Sequence, residues 1–305
     1  MIAGVIDIGT NSVRLLIAKK DGEWQDILRT MEVTRLGEGV DRTRTIKEEA
    51  MERTLATLVQ YKDLMARHGV QRTRIISTSA MRDAENAAEF IELIKRKLGL
   101  TIEVISGEEE GRLTFAGATG SGSFFSKDDI ALVVDVGGGS TEYIYGKEGQ
   151  VFGAASIDIG SVRLTELFMK HDPPLEEELI EARGMVRRLT EPVFKEIAGV
   201  NPSIMIAVAG TATQLSAVYY EIEPYDPERV HGSKMTSTEL KGLITKLASL
   251  TVDERRKLVG MHPRRADVIV AGALILDETI SELCFPEMVI SEKDILDGLL
   301  YSLDG

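Results

Sequence analysis

DIGTNSVRLLI at residues 7–17 returns 128 positions later as DVGGGSTEYIY at residues 135–145. Without a gap, Asp7 meets Asp135, Gly9 meets Gly137 and Ser12 meets Ser140. Short apolar, β-rich runs flank each turn: residues 2–6 and 13–19 around the first, 130–136 and 142–146 around the second. Each stretch therefore reads as strand, polar turn, strand. A spacing of 128 residues is too long for a solenoid repeat. It predicts two duplicated domains, each offering one hairpin turn to a shared interdomain cleft.

The sequence around these turns fits that division. A chain of 305 residues is more than one core usually fills, and 43% hydrophobic with 28% charged residues is a globular balance. After the first turn a strand is expected near 26–35, then a helix over 46–67 with Ala50, Leu55, Leu58, Tyr61 and Leu64 on one side. A strand at 74–77, a helix over 84–98 and a strand at 102–105 follow. The small residues of 117–126 suit a hinge or linker, which places the domains at 1–123 and 124–292. Beyond the second turn we expect a strand at 151–157, a helical stretch from the Pro173-Pro174 pair to about 197, a strand at 204–209 and a helix from Thr211. The last third reads as mainly helical, clearest at 265–280 and 293–303, and the segment 293–305 is free to pack back on the first domain. Such alternation predicts an α/β protein with mixed central sheets flanked by helices.

Several functional classes are disfavoured. One cysteine and four histidines argue against a disulfide framework or a Cys/His zinc site. No apolar run approaches the ~20 residues of a membrane span, and MIAGVIDIG has no basic leader region. A cytoplasmic protein without a membrane partner is expected. Net charge −13 argues against nucleic acid as a partner. A small anion is another matter, because it feels local N–H groups, a few arginines and a metal ion rather than the global charge.

Both turns have the chemistry to hold phosphate. Their glycines allow close backbone approach, and successive N–H groups with Ser/Thr hydroxyls can cradle phosphate oxygens. The candidates are Thr10, Asn11 and Ser12 in the first turn and Gly137, Gly138, Gly139, Ser140 and Thr141 in the second. Asp7 and Asp135, at the ends of their strands, are candidate ligands of hydrated Mg²⁺ (or Mn²⁺). The same residue types also make ordinary hairpin turns; it is the matched register of the pair that favours the ligand reading. Neither turn is a Walker A loop or a GxGxxG opening a helix. Arg14, between Val13 and Leu15, must alternate away from the core. Arg82 lies in SAMRDA between strand and helix, where a phosphate contact and an ion pair with Asp83 or Glu85 are both open. Glu108-Glu109-Glu110 suits the start of a helix, where acids meet the positive dipole end.

With these residues in place the chain resembles the exopolyphosphatase/guanosine pentaphosphate phosphohydrolase family of the actin-like, sugar kinase and Hsp70 ATPase superfamily. The resemblance is carried by DIGTNSVRLLI (7–17), TSAMRDAENAAEF (78–90), VISGEEEGRLTFAGA (104–118), VVDVGGGSTEY (133–143), IDIGSVRLTE (157–166), VAGTATQLSA (208–217), YDPERVHG (225–232) and RRADVIVAGALIL (264–276). It implies two actin-like, ribonuclease H-like domains. It implies Glu110 as the base that activates the attacking water, and Glu142 as a group positioning water or Mg²⁺. It also implies phosphate contacts from Arg14 and Arg265 and a nucleotide-type contact at Gly210-Thr211. His231 is expected to make a structural hydrogen bond, and Trp24 and Cys284 to serve packing.

The substrate implied first is linear polyphosphate, cut at its end to release orthophosphate. The runner-up is guanosine pentaphosphate of the stringent response, cut at its γ-phosphate. A homodimer is an allowed assembly. A superfamily kinase would need an aspartate for an acceptor hydroxyl, where GEEEGR supplies a glutamate for water. A non-catalytic sensor is disfavoured by intact Asp7, Asp135, Glu110 and Glu142. One departure stands out: family members often carry Ser-x-x-Gly-Leu-Arg-Glu-Gly where this chain reads SEKDILDG at 291–298. The missing arginine and first glycine point to an altered chain-length preference.

Overall fold

A computed structural model describes residues 1–120, 126 and 128–304. They form two compact units, Met1–Gly117 with the residues from Ile295 onward, and Ala118–Asp294.

In the first unit β1 (Ile2–Ile8), β2 (Ser12–Asp21) and β3 (Glu23–Val33) form a meander. After α1 (Val40–Thr43) and α2 (Glu48–Arg67) come β4 (Arg72–Ser77), α3 (Ser79–Asp83), α4 (Ala87–Leu98), β5 (Glu103–Val104) and α5 (Gly107–Thr119). The sheet order is β3-β2-β1-β4-β5, with β1 antiparallel to β2 and parallel to β4. Alternation divides its side chains between two cores. Ile6, Ile8, Val13, Leu15 and Ile17 face α2 and α4 residues such as Leu58, Tyr61, Phe90 and Ile94. Ala3, Val5, Leu16 and Ala18 face the other way, with Leu113 of α5.

The second unit repeats this plan. It begins with β6 (Ala131–Val136), β7 (Thr141–Lys147) and β8 (Gln150–Ile157), then α6 (Ser161–Phe168) and α7 (Glu176–Val200). Next come β9 (Ile204–Val208), α8 (Ala209–Tyr219), α9 (Pro227–Val230), β10 (Lys234–Thr236), α10 (Ser237–Ala248), α11 (Val252–Arg255), α12 (Ile269–Glu282) and β11 (Glu287–Ile290). Its sheet order is β10-β11-β9-β6-β7-β8. Read from β8, the first five strands have the same order as the first sheet and the same antiparallel and parallel pairings at β6–β7, β7–β8, β6–β9 and β9–β11. The duplication seen in two turns is thus a duplication of whole sheets, mixed and flanked by helices as the sequence predicts. Finally α13 (Ile295–Tyr301) packs in the first unit, where Ile295, Leu296, Leu299 and Leu300 complete the Val5–Leu16 core.

The last third is mainly helical as expected, with two short strands besides, β10 and β11, which extend the second sheet. These strands have only three and four residues, too few for an alternation to register. Of the expected linker at 117–126, residues 117–119 are the end of α5, while 121–125 lie outside the described residues. Cys284 is exposed rather than packed, whereas Trp24 packs against the core of the first unit and its Nε1 donates to Asp304 Oδ2 at 3.2 Å.

Candidate active site

The two turns share one backbone geometry. Gly9 N donates to Ser12 O at 3.0 Å, and Gly137 N donates to Ser140 O at 3.1 Å. The residues flanking them are cross-strand partners: Asp7 stands opposite Arg14, and Asp135 opposite Glu142. The duplicated hairpin therefore carries an acid–cation pair in one unit and an acid–acid pair in the other.

In the first unit Arg14 donates to Asp7 Oδ2 through Nη2 at 2.7 Å and Nε at 3.0 Å. Asp7, only 4% exposed, thereby fixes the direction of the guanidinium. Glu110, on the first turn of α5, is 7% exposed and accepts from Arg82 Nη1 at 3.2 Å. The same nitrogen donates to Ile105 O at 3.0 Å, so Arg82 is tied to the strand-to-helix turn that presents Glu110. Thr10 Oγ1 and Ser79 Oγ share a hydrogen bond of 2.7 Å, joining the phosphate turn to the start of α3. Thr10 and Asn11 are buried, while Ser12 is half-buried.

In the second unit Glu142 is 1% exposed and Asp135 6%. Two carboxylates directly across an antiparallel pair repel, and such a pair suits a hard divalent cation. Mg²⁺ commonly uses one or two carboxylates and fills its octahedron with waters and phosphate oxygens. Asp135 and Glu142 fit that role as donors. Asp7 fits it less well because its Oδ2 is engaged by Arg14. Among the described residues no group of three or more His, Cys, Asp or Glu is gathered as an all-protein metal cage.

The hydroxyl hydrogens of two candidate phosphate ligands are given to the framework. Thr141 Oγ1 donates to Ile159 O at 2.6 Å, and Thr211 Oγ1 donates to Val136 O at 3.0 Å. A hydroxyl has one hydrogen to give, so neither has one left for phosphate. Gly210 and Arg265 are brought together: a Cβ at 210 would lie 1.6 Å from Arg265 Nη1, so the guanidinium rests on the backbone at the start of α8. His231 Nδ1 accepts from Glu292 N at 3.2 Å, a structural hydrogen bond as expected. The next residue after Glu142, Tyr143, is fully buried, and burial pushes its phenol well above the ordinary range, keeping it neutral. At 296, where the family motif has arginine, Leu296 is buried in the apolar core, and Asp297 accepts both of its 2.9 Å bonds from Arg29 Nη2.

Ser156 was not anticipated. It lies opposite Glu142 on β8, and its Oγ donates to Glu142 Oε1 at 2.8 Å. The signal that could have found it was the register of the third strand, which no turn motif reports.

Likeness to known proteins extends over nearly the whole chain. Residues 15–304 match the model of the Ppx/GppA phosphatase family. The chain is 39% identical to Exopolyphosphatase 2 of Mycobacterium tuberculosis over 98% of each chain. Among solved structures it is similar to a Ppx/GppA enzyme of Aquifex aeolicus, at 37% identity, TM-score 0.82 and 99% coverage of both chains. It is also similar to an exopolyphosphatase from Cytophaga hutchinsonii, at 28% identity and TM-score 0.92, covering 99% of this chain and 97% of that one.

Proposed function

Because the chain belongs to the Ppx/GppA phosphatase family, we propose that it is an exopolyphosphatase that removes the terminal phosphate of inorganic polyphosphate as orthophosphate. The observation that carries this reading is the near full-length likeness to Exopolyphosphatase 2, a protein matched over 98% of its own length. The buried carboxylates at the positions named by the family motif support it.

Each unit has its share of the chemistry. Glu110 accepts the proton of a water whose oxygen attacks the terminal phosphorus. The bond from that phosphorus to the bridging oxygen breaks, and the shortened chain leaves with the electron pair. Arg82 holds the Glu110 carboxylate, and Arg14, aimed by Asp7, binds a phosphate oxygen. Gly138 and Gly139 offer backbone N–H groups to phosphate, with Arg265 as a further cation. Asp135 and Glu142 would hold Mg²⁺, which when bound supplies charge neutralisation on the phosphate oxygens.

The test is orthophosphate release from long polyphosphate, tripolyphosphate and guanosine pentaphosphate in parallel, with Mg²⁺. We expect release from polyphosphate, reduced by at least about 100-fold in Glu110→Gln, the lower end of what a positioned base contributes. Full turnover in a folded Glu110→Gln protein would remove Glu110 as base. Release from guanosine pentaphosphate alone would replace the substrate.

A further inference from the structure

The segment 156–163, which joins β8 to α6, holds the second phosphate turn at several points. Ser156 Oγ donates to Glu142 Oε1 at 2.8 Å, and Ile159 O accepts from Thr141 Oγ1 at 2.6 Å. The Gly137 carbonyl accepts from Ser161 N at 2.9 Å and from Ser161 Oγ at 3.1 Å. The Gly138 carbonyl accepts from Val162 N at 2.9 Å and Arg163 N at 3.1 Å. This approach depends on residue 160 lacking a side chain, since a Cβ there would lie 2.6 Å from both Gly137 O and Gly138 O.

A peptide unit is planar and trans, so its C=O points opposite to the N–H that follows. Drawing the Gly137 and Gly138 carbonyls toward the first turn of α6 therefore turns the Gly138 and Gly139 N–H groups away from it. Neither N–H has a hydrogen-bond partner among the described residues. Two successive donors turned to one side make an anion-binding nest.

The first unit also fastens its turn from beyond the third strand, through different positions. Beyond β3, Gly37 N donates to Thr10 O and Arg35 N donates to Asn11 O, both at 2.9 Å. A Cβ at 37 would lie 2.3 Å from Thr10 Cγ2. In both units, then, the chain leaving the third strand passes a glycine over the phosphate turn and fastens its carbonyls.

We infer that 156–163 is a positioning strap: Gly160 sets the direction of the Gly138 and Gly139 N–H groups, and Ser156 fixes the Glu142 carboxylate. Both are positioning residues, and the inference rests on the reading of 137–141 as a phosphate turn. It assigns a task to IDIGSVRLTE (157–166), a motif that the hydrolytic chemistry itself leaves without one.

The test pairs ¹⁵N NMR with kinetics. Titrating tripolyphosphate into the labelled full chain should move the Gly138 and Gly139 amide resonances, and Gly160→Ala should abolish that movement and raise KM for polyphosphate about tenfold. Ser156→Ala should lower kcat about tenfold with KM within about twofold, and Ser156→Thr, which keeps the hydroxyl, should recover most of it. Amides that stay still while the protein releases orthophosphate would overturn the inference, as would equal kcat for Ser156→Ala and Ser156→Thr. If Gly160→Ala does not fold, the wild-type titration and the Ser156 pair decide. Amides that move in a protein releasing no orthophosphate would leave the strap standing and overturn the exopolyphosphatase reading.

Discussion

The Arg82–Glu110 contact makes a prediction separate from the base assignment. One guanidinium nitrogen bridges Ile105 O and Glu110 Oε2, so Arg82 fixes where the carboxylate stands. Arg82→Ala should lower kcat for orthophosphate release by about tenfold or more, a cost typical of misplacing a reacting group. Arg82→Lys, unable to serve carbonyl and carboxylate from one planar fork, should recover little of it. Steady-state kinetics with circular dichroism as a fold control checks this, and an unchanged kcat in Arg82→Ala would detach Arg82 from the reaction. The sequence shows why this pairing was missed. Asp83 and Glu85 are neighbours in the chain, but Glu110 is 28 positions away and only the tertiary approach of α5 to Arg82 of α3 brings it close.

At the scale of elements, small residues and capping groups decide how helices sit. Gly298 of α13 crosses α5 so closely that a Cβ would lie 1.9 Å from Leu113 O. In an open helix Gly→Ala gains up to about 1 kcal/mol. Here the collision reverses the sign, and Gly298→Ala should cost about 1–3 kcal/mol. Thermal unfolding would show a midpoint lowered by several degrees, and a raised midpoint would contradict the crossing. In the first turn of α7, Glu178 is held down to about 2, mainly by the His171 side chain at 2.8 Å and also by backbone N–H groups of Leu175 and Lys170. A carboxyl depressed in the folded state stabilises it above the ordinary value of 4.5, and that contribution is lost as pH falls from there toward about 2. The ¹³C carboxyl resonance of Glu178 should titrate near the lower value, and a midpoint at 4.5 would break the cap. On the alkaline side, burial first and then the hydrogen bond to Glu196 push Tyr145 up to about 12. Stability from the neutral phenol is full below 10 and lost as pH rises through about 12. Tyr145→Phe should flatten that alkaline loss in pH-dependent melts, and an unaltered alkaline limb would remove Tyr145 as its source.

For the molecule as a whole, net charge −13 repels a polyanion at long range, leaving capture to arginines and N–H groups at close quarters. Raising ionic strength from ~0.01 to ~0.15 M shortens the screening length from ~30 to ~8 Å. It should therefore raise kcat/KM for long polyphosphate at fixed Mg²⁺, whereas a fall would mean that the local cations dominate at distance. The repeat of DIGTNS and DVGGGST was enough to read two duplicated α/β halves, because turn residues and apolar runs are local signals. The candidate acids Asp7, Glu110, Asp135 and Glu142 could likewise be named from the motifs that carry them, their roles resting on the family resemblance. Tertiary structure alone decided which partner each group has: Asp7 with Arg14, Arg82 with Glu110, and Ser156 with Glu142. It also decided that Thr141 and Thr211 give their hydrogens to carbonyls, that β11 joins β9, and that α13 packs in the first unit. The physical reason is the same throughout. A motif specifies which groups a residue can offer, but hydrogen bonds and buried contacts between distant segments exist only once strand register and helix packing bring them within reach.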